Sequence, residues 1–349
     1  MSDSKRVVNS EVSDHDESVG EEKITTAALE GAATQHLSST AEHHHDNTMQ
    51  MRCLLSWSSG KDCAYALHIL RRDFPHIQVV GLLTTFNETN ARVAMHATRL
   101  DIALAQAYSV GLPLWRVDLP SPCTNTEYVR RMAALHIVAK SHGITHVAFG
   151  DLHLREVRAY RESSLEGSGL TPLFPIWIDD DSNNKNATCA LAAKMLSLHA
   201  SAILCTIDSK KLPRDFCGSI WNAQCIESLL KNGADACGEN GEFHSIAFDG
   251  PAFSTPLALA VVGDAFERGG FYYIDIELST PLPPLADVIV YLDKISIDAV
   301  LEANPHAAET LCMRAVKLGE ALCPSTPTTV TLPTTTTTPI TDDNANVEK

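Results

Sequence analysis

Ser58-Ser59-Gly60-Lys61-Asp62-Cys63 is the stretch of this chain whose residue types most directly suggest chemistry. It follows the apolar run Cys53-Leu54-Leu55 and precedes Ala64, Leu67 and Leu70, which recur at helical spacing. Small residues, one glycine and one lysine therefore fall where a strand becomes a helix. Backbone N–H groups converge at such a turn, and the helix N-terminus adds partial positive charge. Lys61 adds a full charge, and the set is suited to gripping a polyphosphate. A Walker loop is excluded, because Leu55 stands where its first glycine belongs and Asp62 where Ser or Thr would hold magnesium. No G-x-G-x-x-G follows the first strand either.

A second cluster is Cys237-Gly238-Glu239-Asn240-Gly241-Glu242-Phe243-His244-Ser245. Glycines let the backbone bring two carboxylates and an imidazole together. Such a group could bind an amine, hold magnesium or move protons. Taken alone it also reads as a glycine-rich turn with solvated acids. Arg155, Arg158 and Arg161 recur at spacing three, near one helical face, where they could meet phosphates or a carboxylate. Arg158 and Glu162 could equally pair with each other at i, i+4.

These residues need elements to position them. Strand-like runs at 78–83, 114–119, 146–149 and 202–207 alternate with helical patterns at 97–108, 126–141, 154–166 and 187–199. That order predicts a Rossmann-like α/β fold, a parallel sheet with helices on both faces. Ligands of such sheets bind beyond the strand carboxyl ends, where the loop and Gly150-Asp151 both fall. Glycines interrupt 208–256, which predicts a smaller, substrate-side subdomain, followed by strands within 257–278 and a helical segment over 283–323. The expected organisation is a disordered acidic tail (1–50), a nucleotide-binding domain (51–207), the subdomain (208–280), a helical extension (281–323) and a disordered Thr/Pro-rich tail (324–349).

The chain has 349 residues, and its formal net charge is −16. The first 50 residues carry ten acids and three bases, and an acidic excess persists in the core. That argues against a broad nucleic-acid surface, though not against a local basic pocket. Ten cysteines without C-x-x-C spacing support neither a zinc site nor a disulfide framework. They fit a reduced, cytoplasmic setting. No apolar run is long enough to span a membrane.

The first segment resembles the PP-loop of the ATP pyrophosphatase superfamily, S-x-G-x-D-S, with Cys63 in place of the final serine. A thiol is the weaker hydrogen-bond donor. Four segments occur in the order seen in the diphthine–ammonia ligase family: Leu55 to Asp62, Ala148-Phe149-Gly150-Asp151, Val157 to Glu162, and Gly238 to His244. Pro175-Ile176-Trp177 and Asp249-Gly250-Pro251 are similar as well. The resemblance covers roughly residues 52–278 and is nearest the single-domain, adenine nucleotide α-hydrolase-like branch.

The resemblance implies a HUP-type sheet, ATP and Mg2+ as cofactors, and ammonium and elongation factor 2 as partners. The implied reaction is adenylation of the diphthine carboxylate, then displacement of AMP by ammonia to give diphthamide. Ser56, Ser58, Ser59, Gly60, Lys61, Asp62, Cys63, Gly150 and Asp151 are the implied nucleotide-binding residues. Asp62 and Asp151 are the implied metal ligands. Lys61, Glu239, Glu242 and His244 are the implied catalytic residues, and Arg158, Arg161 and Asn240 the implied substrate-binding ones. Two other functions compete: PP-loop chemistry on a small-molecule or tRNA acceptor, and a non-catalytic adenine-nucleotide sensor. Lys61→Ala is expected to abolish ATP turnover with the fold intact. Sequence leaves the oligomeric state open.

Overall fold

The computed structural model describes residues 6–8, 51–179, 184–281 and 289–312. The elements are β1 (Arg6–Val8), β2 (Met51–Ser56), α1 (Lys61–Asp73), β3 (Ile77–Asn87), β4 (Arg92–Val93), α2 (Leu100–Val110), β5 (Leu114–Leu119), α3 (Asn125–Ser141), β6 (His146–Ala148) and α4 (Arg155–Leu165). They continue as β7 (Thr171–Leu173), α5 (Asn184–Ser197), β8 (Ser201–Asp208), α6 (Ala223–Lys231), β9 (Phe243–Asp249), β10 (Leu259–Arg268), β11 (Phe271–Leu278), β12 (Ile289–Leu292) and α7 (Lys294–Ala303).

Two sheets form. The first has the order β12-β5-β3-β2-β6-β7, every neighbouring pair parallel, with β4 antiparallel on β3. Its central strand shows why helices cover both faces. Cys53, Leu54 and Leu55 are all fully buried. Because side chains alternate along a strand, Cys53 and Leu55 join one core with Tyr65, Leu67 and Leu70 of α1. Leu54 joins the opposite core with Ala134 and Leu135 of α3 and Ile297 of α7.

The second sheet is antiparallel, in the order β1-β10-β11-β8-β9. Helix α2 lies between the two sheets. Its Ala103 and Ala107 pack toward the first, while Ile102 and Ala105 join the core of the second with Ile203, Ile246 and Ile276. Apolar residues therefore cover more than one face of α2, as in any helix buried on two sides.

The Rossmann-like sheet and the separate C-terminal subdomain match expectation, with three differences. The strand expected at 202–207 forms as β8, but it pairs with β9 and β11 in the antiparallel sheet. Its fully apolar run suits any strand buried on both faces, so pattern alone does not assign its partners. Within the segment expected to be helical over 283–323, β12 extends the parallel sheet at the edge of β5 before α7 begins. Within the tail expected to be disordered, Arg6–Val8 pairs with Leu259–Val261 of β10. Residues 9–50, and the tail expected at 324–349, lie outside the described residues. No described helix is long and apolar enough to cross a membrane.

Candidate active site

In the parallel sheet the chain runs outward from β2 to β3 and β5 on one side, and to β6 and β7 on the other. The switch point is therefore between β2 and β6, where this class of sheet opens a crevice. The loop between β2 and α1 stands there beside Gly150 and Asp151, which follow β6. A cavity of about 880 Å3 opens at that place.

The loop is built against the second sheet. Ser59 adopts a left-handed backbone, φ 72°. Its carbonyl accepts hydrogen bonds from Ala247 N at 2.8 Å and Gln106 Nε2 at 3.0 Å. Gln106, fully buried on α2, also donates to Ala247 O at 2.6 Å and accepts from Trp57 Nε1 at 2.9 Å. One amide thus joins Trp57 just after β2, the loop and β9. The Gly60 N–H donates to Ser58 Oγ at 3.4 Å and the Lys61 N–H to Ser245 Oγ at 3.3 Å. Both bonds are long for N–H···O, and an incoming anion could exchange them at small cost. The Cys63 thiol serves the loop itself. It donates to Gly60 O at 3.0 Å and lies 3.7 Å from Ser58 Oγ, and burial pushes its pKa up to about 11.

Gly150 sits against the first turn of α1. A Cβ there would lie 2.9 Å from Cys63 N and 3.1 Å from Cys63 Cα. Backbone atoms cannot swing aside, so Gly150→Ala is expected to lower the unfolding free energy by about 2 kcal/mol. Thermal or urea unfolding measures it, and an unchanged midpoint would show that the loop and β6 are less tightly apposed.

Lys61 is 3% exposed. Its Nζ donates to Asp62 Oδ1 at 3.0 Å, to Asp62 Oδ2 at 2.9 Å and to Cys237 O at 2.5 Å. It lies over the rings of Trp221 and Phe243, 5.3 and 5.2 Å from their centroids. Burial opposes its charge, but the Asp62 carboxylate and the neighbouring acids hold its pKa above the ordinary value. Lys61 thereby joins the first motif to the second.

Glu239 reaches the cavity from that second motif. Its Oε1 accepts from Leu152 N at 3.0 Å and His153 N at 3.4 Å. Burial and the charges of Asp62 and Asp151 push its pKa to about 7, against the pull of those two N–H groups. His244 also lines the cavity, its ring centroid 4.7 Å from that of His96. Burial lowers His244 to about 3 and His96 to about 4, so both imidazoles are neutral.

Of the residues expected at the site, Ser56, Ser58, Lys61, Asp62, Cys63, Gly150, Asp151, Arg161, Glu239 and His244 line the cavity. Ser59 and Gly60 lie behind its wall and shape the loop. Glu242 does not reach it. Its Oε1 accepts from Asp235 N and Asn240 Nδ2, both at 3.1 Å, and its Oε2 is buried without a partner among the described residues. Glu242 and Asn240 therefore brace the turn that presents Glu239. Glu242→Ala is expected to cost about 1–2 kcal/mol of stability for two lost hydrogen bonds. A denaturant titration tests this, and loss of turnover at unchanged stability would return Glu242 to the chemistry.

Arg158 also lies outside the cavity. It pairs with Glu162 at 2.8 Å and stacks over Phe174 and Trp177 at 4.7 and 4.8 Å. Arg161 does face the cavity, with its Nε 3.2 Å from Asp151 Oδ2. Sequence reading missed His96 and Gln106. A lone histidine in an irregular segment and a glutamine in an alanine-rich helix carry no spacing signal.

Among the described residues no group of three or more His, Cys, Asp or Glu is placed to hold a metal ion. Asp62 and Asp151 are both partly exposed on the cavity wall, at 27% and 19% of their side chains. One or two carboxylates completed by phosphate oxygens and water is the usual donor set for magnesium, and these two fit it.

A parallel sheet flanked by helices, with a small-residue loop at its switch point, defines a Rossmann-like α/β protein with a phosphate-type loop. The model of the diphthamide synthase N-terminal domain matches residues 51–172, and that of the C-terminal domain residues 188–278. Together they span well over half of the chain, which belongs to the diphthamide synthase family. The first match ends within β7 and the second covers β8 through β11, in line with the assignment of β8 to the antiparallel sheet. No curated protein matches the chain.

Proposed function

We propose that this chain is an AMP-forming amide ligase that adenylates the carboxylate of diphthine on elongation factor 2 and passes the acyl group to ammonia. The observation that carries the reading is convergence: Ser58, Lys61 and Asp62 of the loop share one cavity with Glu239 and His244 of the second motif. The family match supports the same reading.

In this reading the loop N–H groups of Gly60 and Lys61 exchange their long bonds to serine hydroxyls for phosphate oxygens. A carboxylate oxygen of the acceptor attacks the α-phosphorus of ATP, and the bond to the β-phosphate bridge breaks, releasing pyrophosphate. Charge develops on the leaving group beside the loop, where fixed donors are worth most. Ammonia then attacks the acyl carbon, and AMP leaves with the bonding pair. Glu239, poised near neutrality, takes the proton that ammonium must lose. Arg161 orients the acceptor carboxylate. Asp62 and Asp151 would hold a magnesium ion, which supplies charge neutralisation of the phosphates. The reading places the reaction in the cytoplasm.

The test is product analysis with ATP, magnesium, ammonium and diphthine-bearing elongation factor 2. AMP, pyrophosphate and a mass decrease of about one dalton on the acceptor are expected. AMP without that decrease would keep the nucleotide chemistry and reject the acceptor. Absence of AMP would reject the ligase.

A further inference from the structure

His96 stands in a segment that the second sheet holds at both ends. Arg92 and Arg99 flank it and both pair with Asp275 of β11, at 2.9 and 2.5 Å. Cys205 Sγ of β8 donates to His96 O at 3.3 Å, and Thr206 Oγ1 donates to Met95 O at 3.4 Å. Met95 and Ala97, on either side of His96, both have positive φ, 64° and 55°. Residues held in that region mark positions where surrounding structure overrides local preference.

His96 Nδ1 is 2.9 Å from Ser245 O. A carbonyl only accepts, so Nδ1 carries the proton and the neutral ring leaves a bare lone pair on Nε2. His96 Cε1 lies 3.0 Å from where a Cβ on Gly60 would stand. The ring is thus packed on the phosphate-type loop, and a side chain at position 60 would displace it. His96 and His244 both line the cavity.

We propose that His96, backed by His244, is a phosphate-contacting residue of the loop, and that a polyphosphate entering the cavity brings a proton onto this imidazole pair. The inference rests on the loop being a phosphate site, and adds to it a residue and a coupling. An ionised phosphate oxygen accepts and does not donate, so against it a neutral Nε2 would set lone pair against lone pair. Protonation converts it into a charge-assisted donor.

Burial is the main cause of the pair's neutrality, and charged or titratable groups from several elements surround it. They are Lys61 from α1, the two imidazoles themselves from the β4–α2 segment and β9, and the Cys205 thiol from β8. Arg92 lies behind, donating to Ala97 O at 2.9 Å. Burial and the Lys61 ammonium disfavour a second positive charge, and the two rings share at most one proton. The negative charges of a bound polyphosphate reverse that balance.

The test is calorimetric titration of the full chain with inorganic pyrophosphate at pH 7, in two buffers of different ionisation enthalpy. The comparison is with His96→Asn, whose amide keeps a donor toward Ser245 O and lacks the Nε2 edge. The protonation of the free ligand is common to both titrations and cancels, and a difference in uptake reads the complex. Wild type is expected to take up up to one proton more per pyrophosphate than the variant, and to bind about tenfold more tightly. Equal uptake and equal affinity would overturn the proposal. Should the variant not fold, side-chain nitrogen NMR of the wild type decides: saturation with pyrophosphate is expected to convert one imidazole to imidazolium, and no conversion overturns the proposal. Pyrophosphate binding without proton uptake rejects this coupling alone. Failure of both ATP and pyrophosphate to bind rejects the phosphate site as well.

Discussion

Lys61→Ala is expected to lower the unfolding free energy by about 3 kcal/mol as well as to abolish turnover. The charge pattern of the loop had pointed to a loss of turnover with the fold intact. Tertiary structure changes that expectation. The Lys61 ammonium is 2% exposed and bound to three oxygens, two of Asp62 and one of Cys237. Its removal leaves the Asp62 carboxylate beside Glu239 and Asp235 with no cation, and leaves the Cys237 carbonyl without its donor. Breaking a buried pair by deleting one partner costs more than the pair contributes, because the other charge stays behind. Asp62 keeps some contact with solvent, which sets the cost at the lower end of the range.

Two measurements check this. Urea unfolding of Lys61→Ala against wild type gives the cost. The same substitution in an Asp62→Asn background is expected to cost about 1–2 kcal/mol less, since the stranded charge is gone. An unchanged unfolding free energy in the single variant would show that Lys61 does not hold the junction between the two sheets.

Glu239→Gln is expected to make the protein more stable and slower. The carboxyl group titrates near 4.5 in the unfolded chain and is pushed to about 7 in the folded one by burial and by Asp62 and Asp151. Between those values the folded state holds a proton that the unfolded state has released, so stability falls as pH rises. The stabilisation from holding that proton is complete below about pH 4.5 and gone once pH passes about 7. Above that the fold carries the whole cost of ionising Glu239, roughly 3 kcal/mol. Glutamine retains an Oε1 for the N–H groups of Leu152 and His153 but cannot ionise. Wild type and variant are therefore expected to unfold alike near pH 4.5, with the variant about 2–3 kcal/mol more stable at pH 8.

On the proposed role of Glu239 as base, the same substitution is expected to slow acceptor-dependent AMP formation by about a hundredfold. A variant equally stable at both pH values would place the Glu239 pKa near the ordinary value and remove the basis for its role as base. Stabilisation coupled to loss of rate is the expected signature of a group kept under strain for function.

Much of the site was legible because its signals are local. A strand-to-helix turn rich in small residues can be read from six consecutive letters, and Gly150-Asp151 from the end of one apolar run. Helix periods located α2 to α5 within a few residues of their observed ends and placed α1 directly after the loop. What local pattern missed is what depends on partners far away in sequence. Glu239 and Glu242 stand three apart in one turn with the same chemistry. Only the hydrogen bonds from Asp235 N and Asn240 Nδ2 hold Glu242 inward, leaving Glu239 to face Asp62 and Asp151. Arg158 and Arg161 share a helix face, but Phe174, Trp177 and Glu162 hold the first outside the cavity.

Sequence by itself determined the alternation of strands and helices and the position of the phosphate-type loop, because backbone propensity, side-chain period and turn chemistry act over a few residues. Tertiary structure decided that β8 belongs to the antiparallel sheet, that Lys61 reaches 176 residues along the chain to Cys237, and that His96 packs on Gly60. The reason is physical. A buried charge or donor takes its state from whichever groups surround it in space, and desolvation makes those few contacts decisive.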